Sequence, residues 1–360
     1  MKIAQIAPLY ESCPPRLYGG TERVVSYLTE ELVRLGHNVT LFASGDSQTA
    51  ADLEPGYGSA LRLDSHCQDP LVHHLIMLDC VRRRADEFDI LHFHTDYLHF
   101  PLFADRWDKT LTTLHGRLDL PDLPAMMRHY AMMPLVSISD AQRAPMIWAN
   151  WHGTVHHGLP PQLYRLGDGG GGYLAFLGRI SPEKRPDRAI EIARRTGVAL
   201  QIAAKVDRVD QGYFETTIQP MLDDPLIEFI GEIGEVEKNT FLGDAIALLF
   251  PIDWPEPFGM VLIEAMAAGT PVIAYGRGSV PELIEEGLSG FIVDDLDSAT
   301  AAVPRAAALD RGAIRQHFEA RFSAERMARD YLTIYEGLPA SQSRGLGSGV
   351  MTARRAEAAD

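Results

Sequence analysis

The chain has 360 residues, 46% hydrophobic and 23% charged, a balance that fits a soluble globular protein of about two domains. A net charge of −16 argues against nucleic acid as a partner and against purely electrostatic binding to an anionic bilayer, while leaving room for a local basic groove. Cys13, Cys67 and Cys80 have no metal or redox spacing and suit a reducing cytoplasm, and no run of about 18 apolar residues marks a transmembrane helix.

The first residues, Met1-Lys-Ile-Ala-Gln-Ile-Ala7, read as a strand over 3–7, with an apolar run too short for a signal peptide. Gly19-Gly20-Thr21-Glu22-Arg23 then opens an amphipathic helix over 21–35. Glycines at such a turn let backbone approach an anion at a helix N-terminus, although a Gly-Gly pair is also simply a tight turn. The pattern is neither Gly-x-Gly-x-x-Gly nor a Walker loop, which argues against a nicotinamide, flavin or P-loop site. Further strands are expected at 39–43, 90–93, 110–114 and 135–138. His92, His94 and His99 lack acidic ligands at metal-site spacing and read as strand-end polar groups. His115 follows the strand 110–114, where a sugar-binding or catalytic imidazole would sit.

Residues 160–172 contain Pro160-Pro161 and Gly169-Gly-Gly-Gly172 and read as a flexible hinge. A second strand series follows at 173–177, 200–204, 227–230, 247–250, 271–274 and 291–293, with helices such as 186–196 between. Apolar runs separated by helices indicate parallel sheets covered on both faces. The expectation is an α/β chain: a domain over 1–159, the hinge, a domain over 173–338, and a disordered tail over 339–360. Both domains are doubly wound, so ligands are expected beyond the carboxyl ends of the strands, in a cleft between them.

In the second domain, Arg179 ends the first strand and Lys184 follows in the same loop. The chain has only five lysines among 33 basic residues, so a lysine here is informative. A guanidinium fork and an ammonium on one loop suit a diphosphate; a solvated charged loop is the plain alternative. Glu256-Pro-Phe-Gly-Met-Val-Leu-Ile-Glu264 places two carboxylates eight positions apart around a Pro-Phe-Gly turn. Glu264 is the only charged residue between Phe258 and Ala274, so its helix is buried and its carboxylate needs partners. The two hydroxyls of a ribose are natural ones; a buried Arg or a loop is the other. The helix begins near Phe258 and Gly259, and its free N–H groups at Gly259, Met260 and Val261 form a site for a phosphate. Asp295-Leu-Asp297 looks like a metal-binding Asp-x-Asp but reads as a surface loop.

These pieces occur in one order: Gly19-Gly20-Thr-Glu-Arg, Leu114-His115-Gly, Ser137-Ile-Ser139, His157-Gly158, Gly178-Arg179-x4-Lys184, Phe229-Ile-Gly-Glu232, and Glu256-Pro-Phe-Gly-x4-Glu264 with Ala-x-Gly-Thr-Pro-Val. Over residue 1 to about 338 the sequence resembles the family-4 retaining glycosyltransferases of the GT-B fold, two Rossmann-like domains facing across a cleft. The resemblance implies that Glu264 binds the ribose and Glu256 faces the transferred sugar. It implies that Arg179 and Lys184 hold the diphosphate, with Gly19, Gly20 and the backbone of Phe258, Gly259, Met260 and Val261. His115 would contact the donor sugar, Glu232 and Ile233 would flank the base, and the helix over 324–338 would cross back to the first domain.

The expected activity is therefore metal-independent transfer of a hexosyl group from a nucleoside-diphosphate sugar, UDP-glucose before GDP-mannose. No cofactor is expected. The acceptor, whether saccharide, lipid or small molecule, would meet loops at 16–18, 96–97, 117–123 and 148–151. Cytoplasmic localisation is expected, with peripheral membrane association left open. The rival readings are a sugar-nucleotide epimerase and a non-catalytic sugar-nucleotide-binding protein.

Overall fold

The computed structural model describes residues 1–16 and 19–340. The chain forms two compact units: residues 1–138, 143–156 and the chain from 324 make one, and residues 139–142 and 157–323 the other.

The first unit is built on seven parallel strands: β1 (Lys2–Ile6), β2 (Asn38–Ser44), β3 (Asp52–Tyr57), β4 (Ile90–Phe93), β5 (Thr110–Thr113), β6 (Leu135–Ser137) and β7 (Trp151–Thr154), in the order 3-2-1-4-5-6-7. The order reverses at β1, the doubly wound arrangement. Interior strands such as β4 and β5 are buried at every position, which is why they read as apolar or β-branched runs. The two strands absent from the sequence reading, β3 and β7, are the sheet edges. β3 carries Pro55 and Gly56, residues an edge tolerates, and both strands are largely half-exposed, so neither shows an apolar run.

The second unit holds six parallel strands: β8 (Tyr173–Arg179), β9 (Ala199–Lys205), β10 (Ile227–Gly231), β11 (Ala247–Phe250), β12 (Val272–Tyr275) and β13 (Gly290–Val293), in the order 10-9-8-11-12-13. All six follow the apolar runs of the sequence to within two residues. Among the described residues, the helices of eight or more residues are α1 (Gly20–Arg34), α2 (Pro70–Arg84), α3 (Pro186–Thr196), α4 (Glu235–Asp244), α5 (Met260–Ala267), α6 (Leu296–Ala307), α7 (Arg311–Phe322) and α8 (Ala324–Gly337). α8 belongs to the first unit, where Met327, Ala328, Tyr331 and Tyr335 are fully buried.

The segment 160–172 is not a free hinge. The chain passes between units at 138/139, 142/143, 156/157 and 323/324, and residues 160–172 lie wholly within the second unit. Gly167 N–H donates to Ala268 O (3.0 Å), Gly169 N–H to Gly243 O (3.1 Å) and Gly171 N–H to Asp244 O (2.9 Å). Arg311 donates to the carbonyls of Gly167, Ala245 and Gly243 at 2.8–3.0 Å. A Cβ on Gly167 would lie 2.1 Å from Gly243 O, so this glycine permits close backbone approach rather than flexibility. Of the expected tail, residues 341–360 lie outside the described residues.

Candidate active site

β8 is buried from Tyr173 to Phe176 and emerges toward its carboxyl end, leaving Arg179 partly exposed there. Arg179 donates to Glu183 at 2.7 Å and to Asp207 at 3.4 Å. Lys184, in the same loop, forms an ion pair with Glu256. Its ammonium also stands 5.1 Å from the Trp254 ring and 5.6 Å from that of Phe250, so aromatic faces supply the rest of its setting. Arg185 follows in the left-handed region (φ 53°), a strained conformation for a residue that precedes proline, and is held by Asp187 at 2.7 Å.

Glu256 accepts a second hydrogen bond from the Trp254 indole at 2.9 Å. The turn behind it is fixed by short-chain residues distant in sequence. Ser139 Oγ donates to Pro257 O and Ser279 Oγ to Phe258 O, both at 2.6 Å, and Ser279 N–H donates to Glu256 O at 3.0 Å. Gly278 (φ 56°) packs so closely that a Cβ there would sit 2.3 Å from Glu256 O. Gly259 caps α5 in the left-handed region (φ 86°), and the helix starts at Met260, one residue beyond the expected start. Met260 and Val261, partly exposed, form its first turn, whose N–H groups have no carbonyl four residues before them within the helix.

Glu264 is 4% exposed, and its carboxylate accepts from Lys238 of α4 at 3.1 Å. Glu232 and Ile233 follow β10 on a loop where Glu232 is exposed and Ile233 half-buried. Asp295 is not in a surface loop: it caps α6, accepting from Ser298 N–H at 2.8 Å. Among the described residues, no group of three or more His, Cys, Asp or Glu side chains is placed to hold a metal, and no helix is long and apolar enough to cross a membrane.

Gly19, Gly20 and His115 belong to the first unit. A Cβ on Gly19 would meet Pro15 at 2.8 Å, whereas Gly20 opens α1 with clear space around it. In the first turn of α1, Glu22 is buried, and desolvation raises its carboxyl to about 7. Of the expected acceptor loops, Leu17 and Tyr18 lie outside the described residues. Asp96 is exposed with φ 51°, a strained backbone at the carboxyl end of the sheet.

His115 keeps a part-exposed edge, yet the protein around it displaces enough water to push its imidazole down to about 3, so it is neutral. Its Nε2 lies 2.9 Å from His94 Nδ1. From there a buried chain runs through Gln5, Tyr335, His92, Thr113 and Tyr331, with every link between 2.7 and 3.0 Å. Thus His92 and His94 are not strand-end groups but members of a core network, with His99 bonded separately to Thr112 at 2.9 Å.

The second unit therefore unites Lys184 with Glu256, and supports Glu256 through Trp254, Ser139, Gly278 and Ser279. Only Ser139 stood in a motif of the sequence reading. Trp254, two residues before Glu256, was the one signal of the others available locally. Lys238 was visible only as one of five lysines.

Residues 18–160 match the family described as Glycosyltransferase Family 4, and residues 167–319 match Glycosyl transferases group 1. The chain is 29% identical over 228 residues to a D-inositol 3-phosphate glycosyltransferase of Mycobacterium marinum, covering 56% of this chain and 47% of that one. It is 32% identical over 186 residues to the Mycolicibacterium smegmatis protein of the same name, covering 48% and 40%. The match spans less than half the length of each of these curated relatives. Among solved structures, AviGT4, a glycosyltransferase involved in avilamycin A biosynthesis, superposes with a TM-score of 0.70 at 22% identity over 94% of this chain and 98% of its own. Sucrose-phosphate synthase from Thermosynechococcus elongatus gives 0.73 at 17% identity, over 94% and 99%. Anabaena Alr3699/HepE, solved in complex with UDP and glucose, gives 0.70 at 18% identity, over 94% and 100%. With both halves matched and two parallel-sheet α/β units of the GT-B kind, the chain belongs to the group 1 glycosyltransferases.

Proposed function

We propose that the protein transfers a hexosyl group from a nucleoside-diphosphate sugar to an acceptor hydroxyl, with retention at the anomeric carbon, without a metal ion, and with UDP-glucose as the first donor to try. The observation that carries this reading is the meeting of Lys184, from the loop after β8, with Glu256, from the segment that leads into α5. A diphosphate over that loop would replace Glu183 and Asp207 as the partner of Arg179 and draw on the charge of Lys184. The N–H groups at the start of α5 add a preorganised dipole. Glu256 would then be free to accept from a hydroxyl of the transferred sugar, Glu264 would hold the ribose diol, and the loop at Glu232 and Ile233 would lie against the base. His115 would meet the donor sugar, with Gly19 and Gly20 at its phosphates.

In the step itself the acceptor oxygen bonds to the anomeric carbon as the bond to the β-phosphate oxygen breaks. The electron pair leaves with the nucleoside diphosphate, and the acceptor proton passes to a phosphate oxygen on the same face. Arg179 and Lys184 stabilise the charge that develops there, the role a divalent ion would otherwise take.

The test is a transfer assay over a panel of nucleotide sugars with a strong chelator present. Activity should persist, the product should keep the donor's anomeric configuration by NMR, and Arg179→Ala should lose about two to three orders of magnitude in turnover. Rescue by Mn²⁺ of a chelator-silenced enzyme would overturn the charge assignment. An inverted product would overturn retention, and donor epimerisation without acceptor would change the reaction class.

A further inference from the structure

The polar chain beneath His115 has a direction that can be read link by link. Gln5 turns Oε1 to His94 Nε2 at 2.9 Å and Nε2 to Tyr335 Oη at 3.0 Å. A carboxamide oxygen only accepts and its nitrogen only donates. His94 Nε2 therefore carries a proton. With its one proton on Nε2, His94 accepts at Nδ1, so His115 Nε2 donates across 2.9 Å. On the other side, Tyr335 accepts from Gln5 and spends its own proton on His92 Nδ1 at 2.7 Å. His92 Nε2 then donates to Thr113 Oγ1 at 2.8 Å, and that hydroxyl donates to Tyr331 Oη at 2.9 Å. Every donor meets an acceptor in one sense along the chain. Turning the Gln5 amide by half a revolution would reverse each link and move the His115 proton from Nε2 to Nδ1.

We propose that Gln5 of β1 and Tyr335 of α8 are positioning residues that fix the tautomer of His115, committing Nε2–H to His94 and leaving Nδ1 as the ring's acceptor. The functional half rests on His115 meeting the donor sugar: a sugar hydroxyl that reaches Nδ1 must donate to it, and the reversed chain would refuse that bond. α8 thereby acts on the ring from Tyr335, whose side chain is fully buried. The arrangement is high-stakes because a buried network that loses one member leaves others unsatisfied.

The tautomers are read directly from long-range proton–nitrogen NMR of histidine-labelled full-length protein. Wild-type His115 should show a bare Nδ1 and a protonated Nε2. Gln5→Met, close to isosteric, and Tyr335→Phe should each release His115 into a mixture of tautomers. His99, bonded to Thr112 outside the chain, should keep its pattern and serve as the internal control. In both variants kcat/KM for the nucleotide sugar should fall at least roughly tenfold, by analogy with loss of other groups that orient a functional imidazole, while affinity for the free nucleoside diphosphate stays unchanged. A wild-type ring protonated at Nδ1, or a His115 tautomer unchanged in Gln5→Met, overturns the assignment, and the second of these does so even where Tyr335→Phe fails to fold. Altered tautomers with unaltered kcat/KM overturn the positioning role. Wild-type protein that turns over no nucleotide sugar sinks the donor reading, and the NMR result still decides the tautomer by itself.

Discussion

Glu264 shows how one residue can carry both a structural and a functional demand. Its side chain is 5% exposed and meets Lys238, 16% exposed, at 3.1 Å. Removing Lys238 would strand a buried carboxylate, so Lys238→Met should destabilise the second unit by about 3–5 kcal/mol. Removing the carboxylate instead leaves a lysine that can turn to solvent, a smaller structural loss. If Glu264 also holds the ribose, Glu264→Ala should weaken free nucleoside diphosphate binding by roughly 1.5–3 kcal/mol. Calorimetric titration of the folded mutant decides it, and unchanged affinity would refute the ribose role. The sequence exposed Glu264 because an acidic residue in an otherwise apolar helix has no inexpensive solution. It could not expose Lys238, because a partner on another helix, 26 residues away, leaves no local periodicity. Gly278 and Ser279 were hidden for the same reason, and Ser139 showed only as a motif member without its role: what they touch is the backbone of Glu256, Pro257 and Phe258, 20 or more residues distant.

The same contrast governs whole elements. Central strands were legible because burial on both faces demands apolar runs, as in Ala247-Leu-Leu-Phe250 and Val272-Ile-Ala-Tyr275. The edge strands β3 and β7 face no such demand and left no pattern. The glycine-rich stretch before β8 was misread for a related reason, since glycine marks close approach as readily as freedom. Here it packs along Gly243 to Ala245 under one side chain, Arg311, which donates to three carbonyls and, at 2.6 Å, to Thr270 Oγ1. Arg311→Met should therefore cost at least about 3 kcal/mol, because several buried acceptors lose their donor together. Gly167→Ala, adding one methyl group against backbone, should cost about 1–3 kcal/mol. Denaturant midpoints test both. A wild-type midpoint for Gly167→Ala would mean that the segment is as loose as its composition suggests.

Across the whole chain, the protonation of buried groups sets opposing slopes of stability with pH. In the first unit, burial holds His92 and His99 well below the ordinary imidazole value of 6.5, lowers His74, and pushes His115 down to about 3. A depressed imidazole contributes stability that is complete above 6.5. That stability is lost as pH falls below it, because the unfolded ring binds a proton that the folded ring refuses. Each such ring lowers stability by about 1.4 kcal/mol per pH unit while that difference persists. Glu22 works the other way: raised from 4.5 to about 7, it contributes stability that is complete below 4.5 and fades as pH rises through 7. Between pH 6.5 and 4.5 the two effects oppose, and the depressed imidazoles outnumber the two carboxyls that burial raises, Glu22 and Asp96. The first unit should therefore lose stability steeply as pH drops from 6.5 toward 4.5, with a net uptake of protons on unfolding. Protection factors from amide hydrogen exchange, corrected for intrinsic rates, should fall in β4 and β5 before they fall in β9 and β11. Melting temperatures that stay level from pH 7 to pH 5, or unfolding that takes up no protons near pH 5.5, would show that these histidines are already protonated in the fold. Gln5→Met should flatten the slope, since breaking the chain beside His94 gives water a route to buried rings, which then take up protons in the fold and narrow the difference from the unfolded chain.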